Sequence, residues 1–455
     1  MAFLDKQLFC IWLICLTLFH LIYCNPLIGL SSRSESASIH AILVAGTSGW
    51  TNYRHQANIA HGYQVLVNHG VNRENIIVMM VNDVVNHEKN PFKGKLFNSP
   101  DGPDVYSDLQ IDYSGAQVSA TNFLKILRGN STNSTHKVLN SSPNDSVLIY
   151  ISSYGASGLI GFPSDVLTSA SLNQALTGLN NDSKYGQMMI ILDTDHSASM
   201  FDSVLPDNVN IFSVTSTSTD QQNYACFCNK PEFPYTCLGT SYSVAWLANT
   251  GSKESLMDET LDQQFDSIIQ ALDEALPQTP INPNKFGSKI FDDLRAGQFM
   301  GLEKSVKTEN PTVIEDQLAN FAVPFEMAGL ESLDTHNDEP FNELKNARNS
   351  IDRAFYRLTS DMCAVGYCSD PQSIIQNNQA VKITDHQLYS QMVTKFHSDC
   401  LNLGENPYLL SKMYIFANIL SESQAQIADN FSKFSSSLYQ ACRRRIIGHG
   451  YHHVV

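Results

Sequence analysis

Five short apolar runs, nearly unbroken by polar residues, constrain the fold of this chain more than any other feature. They are Ser38–Gly46 (SIHAILVAG), Asn75–Val81 (NIIVMMV), Ser146–Ser152 (SVLIYIS), Gln187–Leu192 (QMMIIL) and Val209–Val214 (VNIFSV). A strand that alternates apolar and polar residues keeps one face in water. A strand that is apolar throughout must be covered on both faces, which is the condition of a buried parallel sheet. Segments with helical spacing lie between the runs. Arg54–Gly70 places Ile59, Tyr63, Leu66 and Val67 on one face; Thr121–Leu127 reads as a short helix capped by Thr121; Tyr242–Ala248 and Leu261–Leu276 read as further helices. Strand, crossover helix and strand in succession predict an α/β sandwich with a mainly parallel sheet over residues 38–300.

The pattern changes near residue 300. Residues 301–340 are acidic, punctuated by proline and without periodicity, as expected of a linker. Beyond them, Phe341, Leu344, Ala347, Ile351, Phe355 and Leu358 recur at helical intervals. Leu388, Met392, Phe396 and Cys400 do the same, as do Ile427, Phe431, Phe434 and Leu438. Residues 341–455 therefore read as a small all-helical domain. With 455 residues the chain is too long for one ordinary core, which agrees with two domains.

Residues 1–25 combine Lys6 with an apolar run from Leu8 to Tyr23, the plan of a cleaved secretory signal. No later stretch is apolar and long enough to cross a bilayer. Glycosylation sequons stand at Asn130, Asn133, Asn140, Asn144, Asn181 and Asn430, four of them crowded into what must be an exposed loop. The net charge of −16 argues against nucleic acid as a partner. In an oxidising compartment, Cys226, Cys228 and Cys237 are expected to supply one structural disulfide and one buried thiol. The C-terminal histidines and Arg443–Arg445 read as a solvated helix end and tail rather than a metal site.

Sites in open α/β sheets form where strands end. Here those ends carry Gly46-Thr47-Ser48-Gly49-Trp50-Thr51-Asn52-Tyr53-Arg54-His55-Gln56, then Ser152-Ser153-Tyr154-Gly155, then Asp193-Thr194-Asp195-His196-Ser197. Ser152 or Ser153 with His196 is a conceivable nucleophile and base, but no nucleophile elbow surrounds the serines, and His196 follows Asp195 directly, so it should point away. Asp193, Asp195, His196 and His55 lack the spacing of a metal site, and no cofactor motif is present.

The first of these segments closely resembles the G-S-N-G-W-x-N-Y-R-H-Q-A-D motif of the legumain family of asparaginyl endopeptidases. Val78-Met79-Met80, Gly102-Pro103-Asp104-Val105-Tyr106, Asp112-Tyr113-Ser114-Gly115, Leu127-Arg128-Gly129 and Leu205-Pro206-Asp207-Asn208 extend the resemblance over residues 38–300, and more weakly into the helical domain. It implies a caspase-like three-layer α/β/α domain with a mainly parallel sheet, followed by a prodomain-like all-helical domain. It also implies a Cys–His pair that cleaves after Asn, with the His in a D-H-G motif and the Cys in E-A-C. D-H-G falls on Ser153-Tyr154-Gly155, and E-A-C on Asp193-Thr194-Asp195. Tyr154 and Asp195 thus stand where the base and nucleophile belong, beside Asn52. A phenol with a pKa of about 10 is no base near neutrality, and a carboxylate is a poor nucleophile toward an amide.

The resemblance further assigns Arg54, Asp193 and Thr240 to the pocket for the substrate Asn, one of its two acids having become Thr240. Arg54 either retains a ligand role or pairs with Asp193. Tyr154 and Asp195 are expected to share a hydrogen bond. In the helical domain one family disulfide falls on Cys400 and Cys442, and the positions of the other fall near Leu388 and Leu420; a local Cys363–Cys368 bridge is a further expectation. Asn337 resembles the family's self-cleavage site. The expected protein is a legumain-like pseudoprotease of the secretory pathway, lysosomal, vacuolar or extracellular. It would act by binding peptides, cystatin-type inhibitors or legumain itself; the alternative is cleavage after Asn by a non-standard mechanism.

Overall fold

The apolar runs become the strands of one sheet, and the chain adds further strands around it. In order these are β1 (Ile39–Ala45), β2 (Ile76–Met79), β3 (Ser146–Ser152), β4 (Gly155–Ala156), β5 (Leu159–Gly161) and β6 (Val166–Thr168). They are followed by β7 (Gln187–Asp193), β8 (Ile211–Thr215), β9 (Tyr224–Lys230), β10 (Phe233–Thr240), β11 (Asn284–Gly287) and β12 (Val323–Pro324). The computed structural model describes residues 37–130, 136–276, 281–301, 323–324, 338–378 and 382–447. The leader 1–25, Asn133, Asn337 and the final histidines fall outside that set.

The main sheet has six strands in the order β11-β8-β7-β3-β1-β2. All its pairs are parallel except β11 with β8. Alternate residues of the central strands serve different cores, which makes the three layers explicit. Leu43, Tyr150 and Ile191 pack with the helices Tyr53–Asn68, Ser241–Ser252 and Leu261–Ala275. Val44, Ile149 and Ile190 pack with the helices Ala120–Leu127 and Ser169–Asn181 on the other side. The register places Ala45 opposite Ser152, and Ser152 opposite Asp193, so the carboxyl ends of β1, β3 and β7 form one level edge.

Local differences from the sequence reading have physical causes. The helix at 120–127 is capped not by Thr121 but by Ser119, whose hydroxyl accepts the Asn122 N–H. Asp165, from the turn between β5 and β6, takes the N–H groups of Ala120 and Thr121; a long-range carboxylate at a helix N-terminus leaves no local trace in sequence. The strands β4–β6 are two or three residues long, too short to show a period. The antiparallel hairpin β9–β10 is irregular, with Phe227 and Asn229 at positive φ and a register shift, which disrupts alternation.

The C-terminal region is helical as expected, comprising Asp338–Ala364, Pro371–Gln376, His386–Asp399, Tyr414–Asp429 and Phe431–Arg445. Two boundaries need correction. The first helix begins at Asp338, inside the segment read as linker, and Val323–Pro324 of that segment pairs with Ala225 and Tyr224 of β9. Ile427 and Phe431 belong to different helices. Asn430 breaks the periodic run with φ −146° and ψ 68°, and its side chain accepts the Lys433 N–H to cap the next helix. Among the described residues, no helix is long and apolar enough to cross a membrane.

The described residues from Ser38 onward form one compact unit. The helical core, built on Phe355, Met392, Phe396, Phe416 and Leu438, takes in Tyr154, Ala156 and Leu159 from the α/β part. Directional contacts tie the same junction. The Tyr389 hydroxyl donates to the Ser157 carbonyl at 2.9 Å, Thr168 and Ser390 hydroxyls meet at 2.8 Å, and Ser169 Oγ lies 2.6 Å from His386 Nδ1. Disulfides join Cys228 to Cys237, Cys363 to Cys368 and Cys400 to Cys442, while Cys226 is a buried free thiol. Leu388 and Leu420 are both buried apolar residues of the helical core.

The Cys400–Cys442 bridge links residues separated by 42 positions. A Cys400→Ser, Cys442→Ser double variant is expected to lose about 2–4 kcal/mol of stability. Urea unfolding of the full chain measures this, and an unchanged midpoint contradicts it.

Candidate functional site

Three chain segments meet where β1, β3 and β7 end. The loop after β1 leads through Asn52 into the helix Tyr53–Asn68, which brings Arg54, His55 and Asn58 under the edge of the sheet. The Asn52 side chain does not cap that helix; its Nδ2 donates to the Ser48 carbonyl at 2.8 Å. Asn52 Oδ1 is thereby aimed at the segment just after β3, where the Tyr154 hydroxyl donates to it. Tyr154 is only 5% exposed, and burial raises its pKa above the ordinary phenol value. The Arg54 guanidinium lies over its ring, 5.7 Å from the centroid, while Arg54 Nη1 donates to the Thr51 carbonyl at 2.8 Å.

Asp195 follows β7 and is buried beside this group. Its Oδ1 accepts the Asn223 N–H at 2.8 Å, and its Oδ2 accepts the Gly155 N–H at 3.3 Å. Burial raises its carboxyl to about 6, against the backbone hydrogen bonds and nearby positive charge that favour ionisation. Gly155 is required here, because a β-carbon on it would run into the Asp195 backbone. The expected Tyr154–Asp195 hydrogen bond is replaced by another arrangement: the phenol proton goes to Asn52, and Asp195 takes backbone donors.

Asp193 is fully buried at the end of β7, and burial raises its pKa. Neutral donors surround it. Thr240 and Ser243 donate to Oδ2, which also lies 3.4 Å from Asn58 Nδ2, and Asn223 Nδ2 donates to Oδ1 at 2.7 Å. Asn58 further donates to Thr240 Oγ1 at 2.7 Å and to Ser152 Oγ at 3.0 Å. Arg54, Asp193 and Thr240 are thus brought into one neighbourhood, with the carboxylate of Asp193 held by hydroxyls and amides. Sequence reasoning missed Asn58, Asn223 and Ser243; each reaches the site from a different segment, and no local motif marks them.

The serine–histidine alternative is not assembled. Ser153 Oγ donates to the Gly161 carbonyl at 2.7 Å, and Ser152 Oγ serves Asn58. His196, in the left-handed region at φ 51°, is tied by Nδ1 to the Thr219 carbonyl at 2.9 Å. Buried His55 has its pKa pushed well down, first by burial and then by the Arg54 charge. Among the described residues no group of three or more His, Cys, Asp or Glu side chains is placed to hold a metal ion. A cleft of about 250 Å³ remains beside Tyr154 and Asn52, walled by Thr47, Gly161, Pro407 and Leu410 and so shared by the α/β and helical parts.

The sequence profile of the Peptidase C13 family matches residues 39–301, more than half of the chain. This chain belongs to the peptidase C13 family. It is 29% identical to legumain of Mus musculus over 86% of its own length and 91% of that protein. Hemoglobinase of Schistosoma mansoni is 34% identical over 66% of this chain and 68% of that one. The delta-isozyme of vacuolar-processing enzyme from Arabidopsis thaliana is 33% identical over 66% of this chain and 65% of that one. Caspase-1 from Spodoptera frugiperda superposes with a TM-score of 0.36 at 9% identity, covering 60% of this chain and 94% of that structure.

Two measurements test this C13 site. Tyr154→Phe deletes the only proton that Tyr154 offers to buried Asn52, so unfolding free energy is expected to fall by about 1–3 kcal/mol; no loss in chemical denaturation contradicts the assigned bond. The second concerns Asp195, whose folded carboxyl titrates at about 6, against about 3.9 when unfolded. Between those values the folded chain holds a proton that the unfolded chain releases. This group's favourable contribution is therefore present below pH ~4, falls as pH rises, and is gone above pH ~6. Asp195→Asn removes the titration, so the stability of the variant relative to the parent is expected to rise by roughly 1–3 kcal/mol from pH ~4 to ~6. Unfolding curves across that range decide it; a flat or falling difference rejects the assignment.

Proposed function

We propose that this C13-family chain is a pseudoprotease that acts by binding and does not cleave. The observation that carries the reading is the internal engagement of Tyr154, Asp193 and Asp195 at the strand ends. Tyr154 and Asp195 occupy the positions that the legumain motifs assign to the base and nucleophile, and each is already engaged, with Asn52 and with backbone N–H groups respectively. A thiolate attacks an amide because sulfur is polarisable and ionises near working pH; a buried carboxylate offers neither advantage. The Gly155 N–H, the kind of donor that would stabilise a developing oxyanion, is directed at Asp195 instead.

The pocket for a substrate side chain is similarly occupied from within. Recognition of a carboxamide needs an acceptor and donors left over for it, and Asp193 already receives Thr240, Ser243 and Asn223. Loss of base and nucleophile from such a unit typically costs about 10⁶ in rate. The favoured partners are protein or peptide ligands, among them cystatin-type protease inhibitors or legumain itself. The setting is the secretory pathway, ending in a lysosome, vacuole or the extracellular space. The apolar leader and the C13 relatives, one of them named as vacuolar-processing, support that placement.

The test is turnover of an Asn-containing fluorogenic peptide by the pure full chain between pH ~4 and ~8, beside a Tyr154→His, Asp195→Cys double variant. The unmodified chain is expected to stay at background throughout. Cleavage that Asp195→Ala abolishes would make Asp195 catalytic and overturn the proposal in favour of an endopeptidase with a non-standard mechanism.

A further inference from the structure

We infer that Asn130, Asn140, Asn144 and Asn181 carry N-linked glycans that together cover one pole of the molecule, at the end of the sheet opposite the candidate site. The four asparagines are scattered over more than fifty positions of sequence, yet the fold gathers them, and all are exposed. Asn130 follows the helix Ala120–Leu127, Asn140 and Asn144 lie on the segment leading into β3, and Asn181 ends the helix Ser169–Asn181. Hydrogen bonds join these segments: Leu139 N–H to the Ile126 carbonyl at 3.1 Å, Ser141 Oγ to the Lys184 carbonyl at 2.5 Å, and Gly186 N–H to the Asp145 carbonyl at 2.9 Å. A cavity of about 240 Å³ opens between them, with Asn130, Asn140, Arg128 and Lys184 in its lining.

The location follows from register. The patch sits at the amino ends of β3 and β7, where Ser146 pairs with Gln187, and the site sits at their carboxyl ends, where Ser152 pairs with Asp193. Seven-residue strands separate the two by about 20 Å. Each asparagine is followed by the required hydroxyl residue at the second position. The glycan comes from a lipid diphosphate-linked oligosaccharide. The side-chain Nδ2 bonds to the sugar C1 and loses a proton, and the diphosphate leaves with the electrons of the broken C1–O bond. Bulky, hydrated sugars at this pole direct a protein ligand to the carboxyl-end face or to the helical region.

The inference rests on the secretory placement, and the experiment separates the two. The full chain with its own leader is expressed in a eukaryotic secretory host. Peptides are then mapped after enzymatic deglycosylation in ¹⁸O water, which converts each glycosylated Asn to labelled Asp. Label at three or more of the four pole positions is expected. A chain that has lost its leader and carries glycan at Asn430 alone, or at fewer than three pole positions, overturns the inference and leaves the secretory placement standing. A chain recovered from the cytosol with its leader intact and no label overturns both.

Discussion

A carboxylate buried without a cation must be surrounded by donors, and at Asp193 that requirement draws the α/β domain together. Transfer of an isolated carboxylate into a protein interior costs many kilocalories unless hydrogen bonds replace its water. The donors come from Thr240 at the end of β10, Ser243 in the helix that follows, Asn223 just before β9 and Asn58 in the first helix. Sheet, hairpin and both flanking helices must therefore be in place together for the end of β7 to be buried. The same set of bonds positions Asn223, whose N–H then holds Asp195. A single desolvated side chain thus sets the geometry of the whole strand edge, and its burial raises its pKa despite the surrounding hydrogen bonds.

Tyr154 links that edge to the rest of the molecule. Its hydroxyl belongs to the strand-end network through Asn52, and its ring belongs to the core of the helical region with Ala156, Leu159 and Leu410. An imidazole working as a base needs access to substrate and a proton to exchange. The Tyr154 phenol has its one proton committed to Asn52 and fills space that interdigitating side chains require. Chemistry and packing make opposed demands at this position, and the arrangement here satisfies packing. The close approach of Asp195 to Gly155 has the same character, because the carboxylate substitutes for whatever a vacant N–H would otherwise bind.

The elements of the α/β domain were legible because burial on both faces leaves a strong local signature: SVLIYIS was read as a strand with the bounds it has as β3. Short strands, irregular hairpins and caps supplied from a distance were not, since β4–β6 hold too few residues to show a period and Asp165 caps a helix more than forty positions away. The motifs also placed Asn52, Arg54, Tyr154, Asp193, Asp195 and Thr240 in one site, and the fold does bring them together. Asn58, Ser243 and Asn223 could not be named in advance, because a lone Asn or Ser carries no mark of a partner remote in sequence.

By itself the sequence determined the fold class and the family, through apolar runs and ordered motifs that depend only on near neighbours, and its resemblance to the legumain motifs drew attention to Tyr154 and Asp195. Tertiary structure decided what those groups do. Tyr154 had one proton to give, and geometry sent it to Asn52 instead of Asp195; Asp195 met two backbone N–H groups; Asp193 met hydroxyls and amides instead of Arg54 alone. Pairing in a protein interior is a competition among donors for a few lone pairs at hydrogen-bond distance. Only the folded chain specifies which donors arrive.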